Sequence, residues 1–194
     1  SKYFGNSIPH DTNQITKFTY IVEQFYENLG YKPMLHILNT SGVVNYAKAQ
    51  FDMVRIGIGL YGFGNDPQET SQLKNTHNLT SIISQIYFIE PGETVGYNRA
   101  FVAKKPSKSA TIPIGHADGI SRRLGNRKGH VLINNQKAYI IGNVCMDMIM
   151  VDVTEIDCEE GDKVIIFNNQ EMIQNIANIA ETIVYETLTA PSQR

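Results

Sequence analysis

Glycines follow a predicted apolar strand in residues 55–62, which read RIGIGLYG. Glycines at a strand end let backbone N–H groups approach an anion closely, as phosphate sites require. A second segment, Asn39-Thr40-Ser41-Gly42, lies at a predicted helix start and can give hydroxyl and amide groups to the same anion. Arg55 adds a cation. Phosphate binding is one interpretation of this pattern; helix capping and a salt bridge from Arg55 to a neighbouring carboxylate are the alternatives.

His116 and Asp118 lie two residues apart at the end of another predicted strand, shortly before Arg122. Such a pair can do acid–base chemistry, but Asp-Gly is also a common turn, and turn structure is the simpler interpretation. Asp147 interrupts the apolar run at 142–148. A carboxylate in so apolar a run is expected to be buried, and it then needs a hydrogen bond or a cationic partner.

Tyr97 stands in a turn between Gly96 and Asn98, shortly after Pro91-Gly92. A strand usually carries a β-branched residue at such a place. Glycine and asparagine both tolerate left-handed backbone angles. Local rules alone therefore make Tyr97 an ordinary aromatic residue of a β domain, held at an unusual turn.

The composition argues against several classes of partner. The 194 residues carry a net charge of −2, which gives no electrostatic reason to expect nucleic acid or an anionic membrane. No cluster of histidine, cysteine or carboxylate side chains has the spacing of a metal site. Cys145 and Cys158 are predicted to be free thiols of a cytoplasmic protein, and the first residues have no secretory-signal pattern.

Helical and strand patterns alternate in the first third of the sequence. Apolar residues recur at helical spacing from a cap at Asp11-Thr12 to a stop at Gly30. Strand patterns follow at 33–38 and 51–60, and a short helix is predicted to start at 39–41. This alternation favours parallel α/β structure, in a barrel or an open sheet.

The pattern changes from about residue 65. A polar connector precedes short strands separated by turn residues, the spacing expected of an antiparallel barrel or sandwich. These strands include 81–89, 130–133 and 163–167. An amphipathic helix is predicted at 170–182 and a final strand at 184–188. We therefore predict the last part of an α/β domain at 1–70 and an all-β domain at 71–194.

Six stretches occur in an order that resembles one known family. They are HILNTSG at 36–42, VRIGIGLYG at 54–62, SQIYFIEPGETVGYNRAF at 84–101, TIPIGHADGISRRL at 111–124, IGNVCMDMIMVDVT at 141–154 and YETLT at 185–189. The family is that of the alanine racemases, which are pyridoxal phosphate enzymes. The resemblance runs along the whole chain.

This resemblance implies a parallel (β/α)8 barrel that holds pyridoxal 5'-phosphate, followed by an antiparallel C-terminal domain resembling a β-barrel. The family's cofactor-binding lysine lies on an early barrel strand, and this sequence has no counterpart of that segment. We therefore expect a C-terminal fragment, inactive alone, of a cytoplasmic bacterial isomerase. The parent would be a homodimer that interconverts L- and D-alanine and supplies D-alanine for peptidoglycan.

The resemblance also implies which residues bind the cofactor. Arg55 matches the arginine that donates a hydrogen bond to the cofactor's pyridine nitrogen. The phosphate-binding positions of the family match Thr40, Gly57, Ile58 and Tyr185.

Tyr97 matches the family's catalytic tyrosine, which acts from one subunit in the active site of the other. Racemisation at Cα needs one base on each face of a planar carbanion, so the missing lysine would serve one face and Tyr97 the other. Met146, which also acts across the interface, matches the position whose backbone N–H meets the substrate carboxylate, with Asp147 beside it. His116 and Arg122 match positions along the substrate access route.

Several residues depart from the family pattern. Thr40 stands where serine is usual, Asn98 where glycine is usual, and His116 where tyrosine is frequent. Such drift suits a racemase domain fused to a ligase of cell-wall synthesis, which is one alternative. Another is a non-catalytic oligomerisation or binding module that kept the fold. A third is a related barrel enzyme that decarboxylates basic amino acids, but the VGYN segment favours a racemase.

Overall fold

Residues 8–191 are described by a computed structural model, and they divide into two compact units. The first unit ends at Thr76 and the second begins at His77. The helices of the first unit are α1 Ile8–Leu29, α2 Thr40–Asn45 and α3 Pro67–Ser71. The strands of the second unit are β1 Leu79–Ile82, β2 Gln85–Ile89, β3 Thr94–Val95, β4 Phe101–Val102, β5 Ser107–Ile112, β6 His130–Ile133, β7 Gln136–Ile141, β8 Ile149–Asp152 and β9 Lys163–Phe167, and its helices are α4 Gln170–Ala180 and α5 Val184–Thr189.

The first unit is built around α1 and a small apolar core. The predicted helix is found, but it begins at Ile8 and not after a cap at Asp11-Thr12. Its predicted stop at Gly30 is confirmed, since Gly30 has a φ of 69° directly after the last turn. Ile15 of α1 packs against the buried residues Leu38 and Ala49. The predicted start of α2 is also confirmed, because the Asn39 side chain accepts a hydrogen bond from the N–H of Gly42.

The two strands predicted for the first unit are mostly absent from its described residues. His36 and Met53 form an isolated parallel bridge, and 33–38 and 51–60 otherwise adopt no strand structure. A 3-10 turn occupies Ile58–Tyr61 instead. A parallel strand inside a sheet forms hydrogen bonds with a neighbouring strand on each side. The described residues of this unit contain only one parallel bridge, so regular strands do not form there.

The second unit is built on an antiparallel sheet, so the predicted antiparallel β architecture of the C-terminal part is confirmed. Seven strands follow the order β1-β9-β6-β7-β8-β5-β2, and every neighbouring pair is antiparallel. The strands β3 and β4 form a separate hairpin. The predicted strands at 130–133 and 163–167 are found at those residues. The strand pattern at 81–89 belongs to two strands, β1 and β2.

Buried side chains of this sheet and of α4 form the core of the second unit. Alternate residues of β6 and β9 are buried, including Val131, Ile133 and Val164. α4 adds Ile173 and Ala177, both fully buried. Each large aliphatic side chain removed from water contributes roughly 1.5–3 kcal/mol, so this alternation holds the sheet and helix together.

The final strand predicted at 184–188 is wrong, because these residues form helix α5. Valine and threonine favour strands in general, but here a chain reversal after α4 decides the local structure. Glu181 takes a left-handed conformation at the end of α4, and α5 then packs against α4. No helix within residues 8–191 is long and apolar enough to cross a membrane.

Candidate active site

Ten candidate site residues were predicted from the sequence, and they fall in both units. The first unit contains the residues predicted to hold most of the cofactor, namely Thr40, Arg55, Gly57 and Ile58. The second unit contains Tyr97, His116, Arg122, Met146, Asp147 and Tyr185.

The Thr40 hydroxyl is the meeting point of two backbone amides. Its oxygen accepts hydrogen bonds from the N–H of Gly57 at 3.2 Å and from the N–H of Gly59 at 3.3 Å. Within residues 8–191 the N–H of Ile58, which begins the 3-10 turn, donates no hydrogen bond. Among the described residues, the N–H of Ile58 is thus free of a protein acceptor between two amides that meet the Thr40 hydroxyl, and backbone N–H groups close together in the chain can bind anions such as phosphate.

A side chain would have room at Gly57 but not at Gly59. A Cβ on Gly57 would have no atom within 4 Å, so a ligand has room to approach its N–H. A Cβ on Gly59 would lie 2.6 Å from Cγ2 of Thr40, which a real side chain cannot tolerate. Glycine at position 59 therefore lets the threonine sit close to the backbone that it accepts from.

Arg55 is exposed, and its guanidinium is held by the main chain. Nη2 donates to the carbonyl oxygen of Ile37 at 3.1 Å, and no carboxylate of the described residues forms an ion pair with it. The salt bridge considered as an alternative is therefore not found in that part of the chain. The remaining N–H groups of Arg55 are able to donate to a ligand.

Glu69 is a buried carboxylate that the sequence interpretation missed. It is 5% exposed and accepts hydrogen bonds from the Ser41 hydroxyl, the Asn45 side chain and the N–H of Asn65. The segment was predicted to be a polar connector. The spacing of Asp66 and Glu69 is typical of a helix start and predicts α3, but no sequence pattern predicts that this carboxylate reaches α2.

Tyr97 projects from a turn with an unusual backbone. Gly96 has a φ of 78°, and Asn98 and Arg99 have φ values of 59° and 51°. The expectation that Asn98 takes left-handed angles is confirmed. The Tyr97 side chain is 71% exposed, and its carbonyl oxygen accepts a hydrogen bond at 3.1 Å from Nδ2 of Asn143.

The hairpin β3–β4 anchors the Tyr97 turn on the sheet. Val95 and Phe101 pack against a buried cluster that includes Ile141 and Met150. A Cβ on Gly142 would lie only 2.8 Å from the carbonyl oxygen of Val95. The base of the turn therefore lies against the segment that leads from β7 towards Met146.

Backbone hydrogen bonds join the two loops that carry the predicted residues His116 and Met146. The N–H of His116 donates to Cys145 O at 2.9 Å, and the N–H of Ala117 donates to Met146 O at 3.0 Å. A Cβ on Gly115 would lie 2.3 Å from Met146 O, so the two loops meet without space for a side chain. Met146 is 55% exposed.

Asp147 is exposed, so the expectation of a buried carboxylate is wrong. The apolar run that contains it is a loop between β7 and β8, and it turns the side chain outwards. Its backbone is closed by a hydrogen bond from the N–H of Cys145 to Met148 O at 3.0 Å. The apolar sequence therefore marks a loop near the sheet core rather than a strand.

His116 and Arg122 line one cavity of about 250 Å³ together with Glu186 of α5. The charge of Arg122 also acts on a neighbouring thiol. Burial raises the pKa of Cys145, and Arg122 offsets part of that increase. Tyr185 lies in α5 and is 43% exposed. The structure thus brings the two access-route candidates to one cavity, next to the helix that carries a phosphate-site candidate.

Comparison with known proteins identifies the same family for both parts of the chain. Residues 4–65 match the profile of the alanine racemase N-terminal domain, and residues 76–194 match that of the alanine racemase C-terminal domain. The alanine racemase of Helicobacter pylori strain J99 is 36% identical, over 98% of this chain and 53% of its own length. That of Cutibacterium acnes is 35% identical, over 93% of this chain and 50% of its own length. The chain thus spans about half the length of these curated relatives.

Solved structures agree with the sequence matches. The alanine racemase of Clostridium difficile 630 in complex with cycloserine superposes with a TM-score of 0.85 at 31% identity, covering 97% of this chain and 51% of that one. The alanine racemase of Bartonella henselae with covalently bound pyridoxal phosphate gives a TM-score of 0.75 at 32% identity, covering 96% and 51%. Fold, motif order and sequence identity together place this chain in the alanine racemase family.

Proposed function

We propose that this chain supplies part of the active site of a pyridoxal-phosphate-dependent alanine racemase, which interconverts L- and D-alanine. The observation that carries the proposal is a pair of donors: the Thr40 hydroxyl, which accepts the Gly57 and Gly59 amides and so keeps its own O–H for a ligand, and the N–H of Ile58, which donates no hydrogen bond within residues 8–191. That donor set fits a phosphate group. The Bartonella henselae relative holds pyridoxal phosphate. The product D-alanine would serve peptidoglycan synthesis in the cytoplasm.

The first unit would hold the cofactor in this proposal. Thr40 and the N–H of Ile58 would bind its phosphate, and the N–H of Gly57, which donates to Thr40 over 3.2 Å in this structure, would be shared with it. Tyr185 is the family-matched candidate for a further hydroxyl donor. The guanidinium of Arg55 would donate to the ring nitrogen and keep its own protons, because arginine is always charged in proteins. The bound cofactor supplies the electron withdrawal that makes the Cα–H of alanine acidic.

The second unit acts on the substrate. The Tyr97 phenol exchanges a proton with Cα on one face, and a second base serves the other face, because one fixed base returns the proton to the side it left. The N–H of Met146 binds the substrate carboxylate, with Asp147 beside it, and His116 and Arg122 line the access route. We propose a homodimer in which Tyr97 and Met146 act on the partner's cofactor, as their exposure permits.

The test uses the complete open reading frame in which this sequence occurs, with added pyridoxal phosphate. Proton NMR in D₂O follows loss of the Cα proton from L-alanine and from D-alanine in separate experiments. We expect both protons to exchange in the unsubstituted enzyme. In Tyr97→Phe we expect one enantiomer to lose exchange by about 10²–10⁴-fold, because one face has lost its base, while the other enantiomer still exchanges.

Tyr20→Phe is the matched control, because Tyr20 is a similarly exposed tyrosine on α1. It should exchange both enantiomers at the unsubstituted rate. Unchanged exchange of both enantiomers in Tyr97→Phe would remove Tyr97 from the base role. Absence of exchange in the unsubstituted protein would contradict the racemase proposal itself.

A further inference from the structure

We propose that Glu69 is a positioning residue for the phosphate site. It does not touch the phosphate; it orients α2, so that the Thr40 hydroxyl meets the amides of Gly57 and Gly59. The inference rests on the proposed function, since it concerns the phosphate that Thr40 binds there. It concerns a residue in a segment that we predicted from the sequence only as a polar connector.

The Glu69 carboxylate is buried, and both of its oxygen atoms accept hydrogen bonds. Oε2 accepts from the Ser41 hydroxyl at 2.7 Å and from the N–H of Asn65 at 2.8 Å, and Oε1 accepts from Nδ2 of Asn45 at 2.7 Å. A carboxylate at 5% exposure is stable only when such donors replace water. Hydrogen bonds to a charged acceptor are short and strong, so these three contacts fix the groups that make them.

Glu69 contacts α2 near both of its ends. Ser41 lies in the first turn, and Asn45 is the last residue of the six-residue helix. So short a helix is not held by its own hydrogen bonds. Two contacts four residues apart set its rotation about its axis, because side chains at this spacing lie on one helix face. Thr40 precedes Ser41, so the direction of its hydroxyl follows from that rotation.

The segment that carries Glu69 is also held in place. The N–H of Glu69 donates to Oδ1 of Asp66 at 2.8 Å, which caps α3. A Cβ on Gly64 would lie 2.3 Å from Cβ of Glu69, so only glycine lets the chain pass there. The N–H of Gly64 donates to the Thr70 hydroxyl at 3.0 Å. The turn at residues 64–69 therefore fixes the position from which the Glu69 carboxylate contacts α2.

Two roles for Glu69 predict different measurements. If Glu69 only stabilises the first unit, its loss lowers resistance to urea but leaves the phosphate affinity of the folded protein unchanged. If it orients Thr40, a folded variant binds phosphate more weakly, and the amides of Gly57 and Ile58 report the change. Affinity of the folded state is therefore the readout that separates positioning from stability.

The experiment uses the ¹⁵N-labelled apo protein encoded by the complete open reading frame in which this sequence occurs. Inorganic phosphate is titrated into it, and the amide resonances of Gly57 and Ile58 are followed. Glu69→Gln keeps the side-chain size but offers one acceptor oxygen in place of two. We expect about tenfold weaker phosphate binding, since a hydrogen bond to a charged group has been lost. Glu171→Gln is the matched control, because Glu171 is an exposed carboxylate in the first turn of α4. It should bind phosphate as the unsubstituted chain does.

Ser41→Ala provides a second route that keeps the carboxylate and its contacts to Asn45 and Asn65. We expect several-fold weaker phosphate binding, and no further loss when Ser41→Ala is combined with Glu69→Gln, because the two residues act through one contact. Unsubstituted affinity in a folded Ser41→Ala or Glu69→Gln protein would overturn the positioning role alone. If the unsubstituted chain shows no phosphate-dependent shift at Gly57 or Ile58, the proposed phosphate site itself is wrong.

Discussion

Asn98 and Arg99 adopt left-handed backbone angles directly after Tyr97, in the turn proposed to deliver the catalytic phenol. Two consecutive non-glycine residues in that region are uncommon and each costs free energy. The surrounding structure compensates through Asn143, whose side chain donates to the Tyr97 carbonyl oxygen. At the scale of single residues, the position of the phenol is thus set by the backbone around it.

Asp152 combines partial burial with strong donors. Oδ1 accepts from the hydroxyl and the N–H of Thr154 at 2.6 and 3.1 Å, and Oδ2 accepts from Arg127 at 2.9 Å. Burial raises the pKa of Asp152, but the hydrogen bonds from Thr154 and Arg127 outweigh it, and the pKa lies below its ordinary value of 3.8. The charged form therefore favours the folded state.

Replacement of Asp152 by asparagine should reveal this linkage. We expect Asp152→Asn to lower the free energy of unfolding by about 1–2 kcal/mol at pH 7, since hydrogen bonds to a charged group are lost. A depressed folded pKa gives stability above the unfolded pKa and loses it as the pH falls through the folded value. The difference from the unsubstituted chain should therefore stay constant down to about pH 4 and shrink below it.

Urea unfolding at pH 7, 5 and 3 measures this difference. Asp157→Asn serves as the control, because Asp157 is exposed. This substitution should change the free energy of unfolding little at any of the three pH values. A difference for Asp152→Asn that is the same at pH 7 and pH 3 would contradict the linkage.

Among the structural elements, the loop around Gly115 is the clearest case of one segment fitting against another. It lies on the loop that carries Met146, and two backbone hydrogen bonds join them. We expect Gly115→Ala to lower the free energy of unfolding by about 1–3 kcal/mol, because its Cβ would overlap the Met146 carbonyl and force the loops apart. Urea unfolding checks the stability. An unchanged midpoint would show that the loops separate at little cost.

Elements whose structure is decided by nearby residues were predicted correctly from the sequence, whereas features decided by contacts between distant residues were missed. The strands at 130–133 and 163–167 follow from short apolar runs between turn residues and are found there. Helix α5 was missed because its packing on α4 outweighs the strand preference of its residues. Asp147 was wrongly expected to be buried, because an apolar run does not distinguish a strand from a loop beside the core. The Glu69 contact spans 28 residues to Ser41, and no local pattern encodes it.

At the scale of the whole molecule, the two units differ in how much apolar surface they bury. The second has a continuous core in its sheet and α4. In the first, several large apolar side chains are exposed, including Tyr20 at 61%, Tyr31 at 63% and Leu60 at 63%. We propose that the units correspond to the barrel part and the C-terminal β domain predicted from the sequence.

Residues 77–194 should therefore fold without the first unit. We expect this segment, produced alone, to give a single cooperative urea transition and a dispersed proton NMR spectrum, because its buried residues pack on one another. Residues 1–76 alone should unfold without a cooperative transition, since their small core leaves much apolar surface in water. A second unit that shows no cooperative transition would contradict this division.

The contact between Thr40 and Gly59 has a consequence for how such sequences diverge. The threonine methyl occupies the place where a side chain at position 59 would begin. A serine at position 40 would lack that methyl, and the steric barrier to alanine at position 59 would be lower. Substitutions at positions 40 and 59 should therefore be correlated during evolution. Their order should also be constrained, because the Thr40 methyl group must be lost before Gly59 can be replaced by a larger residue.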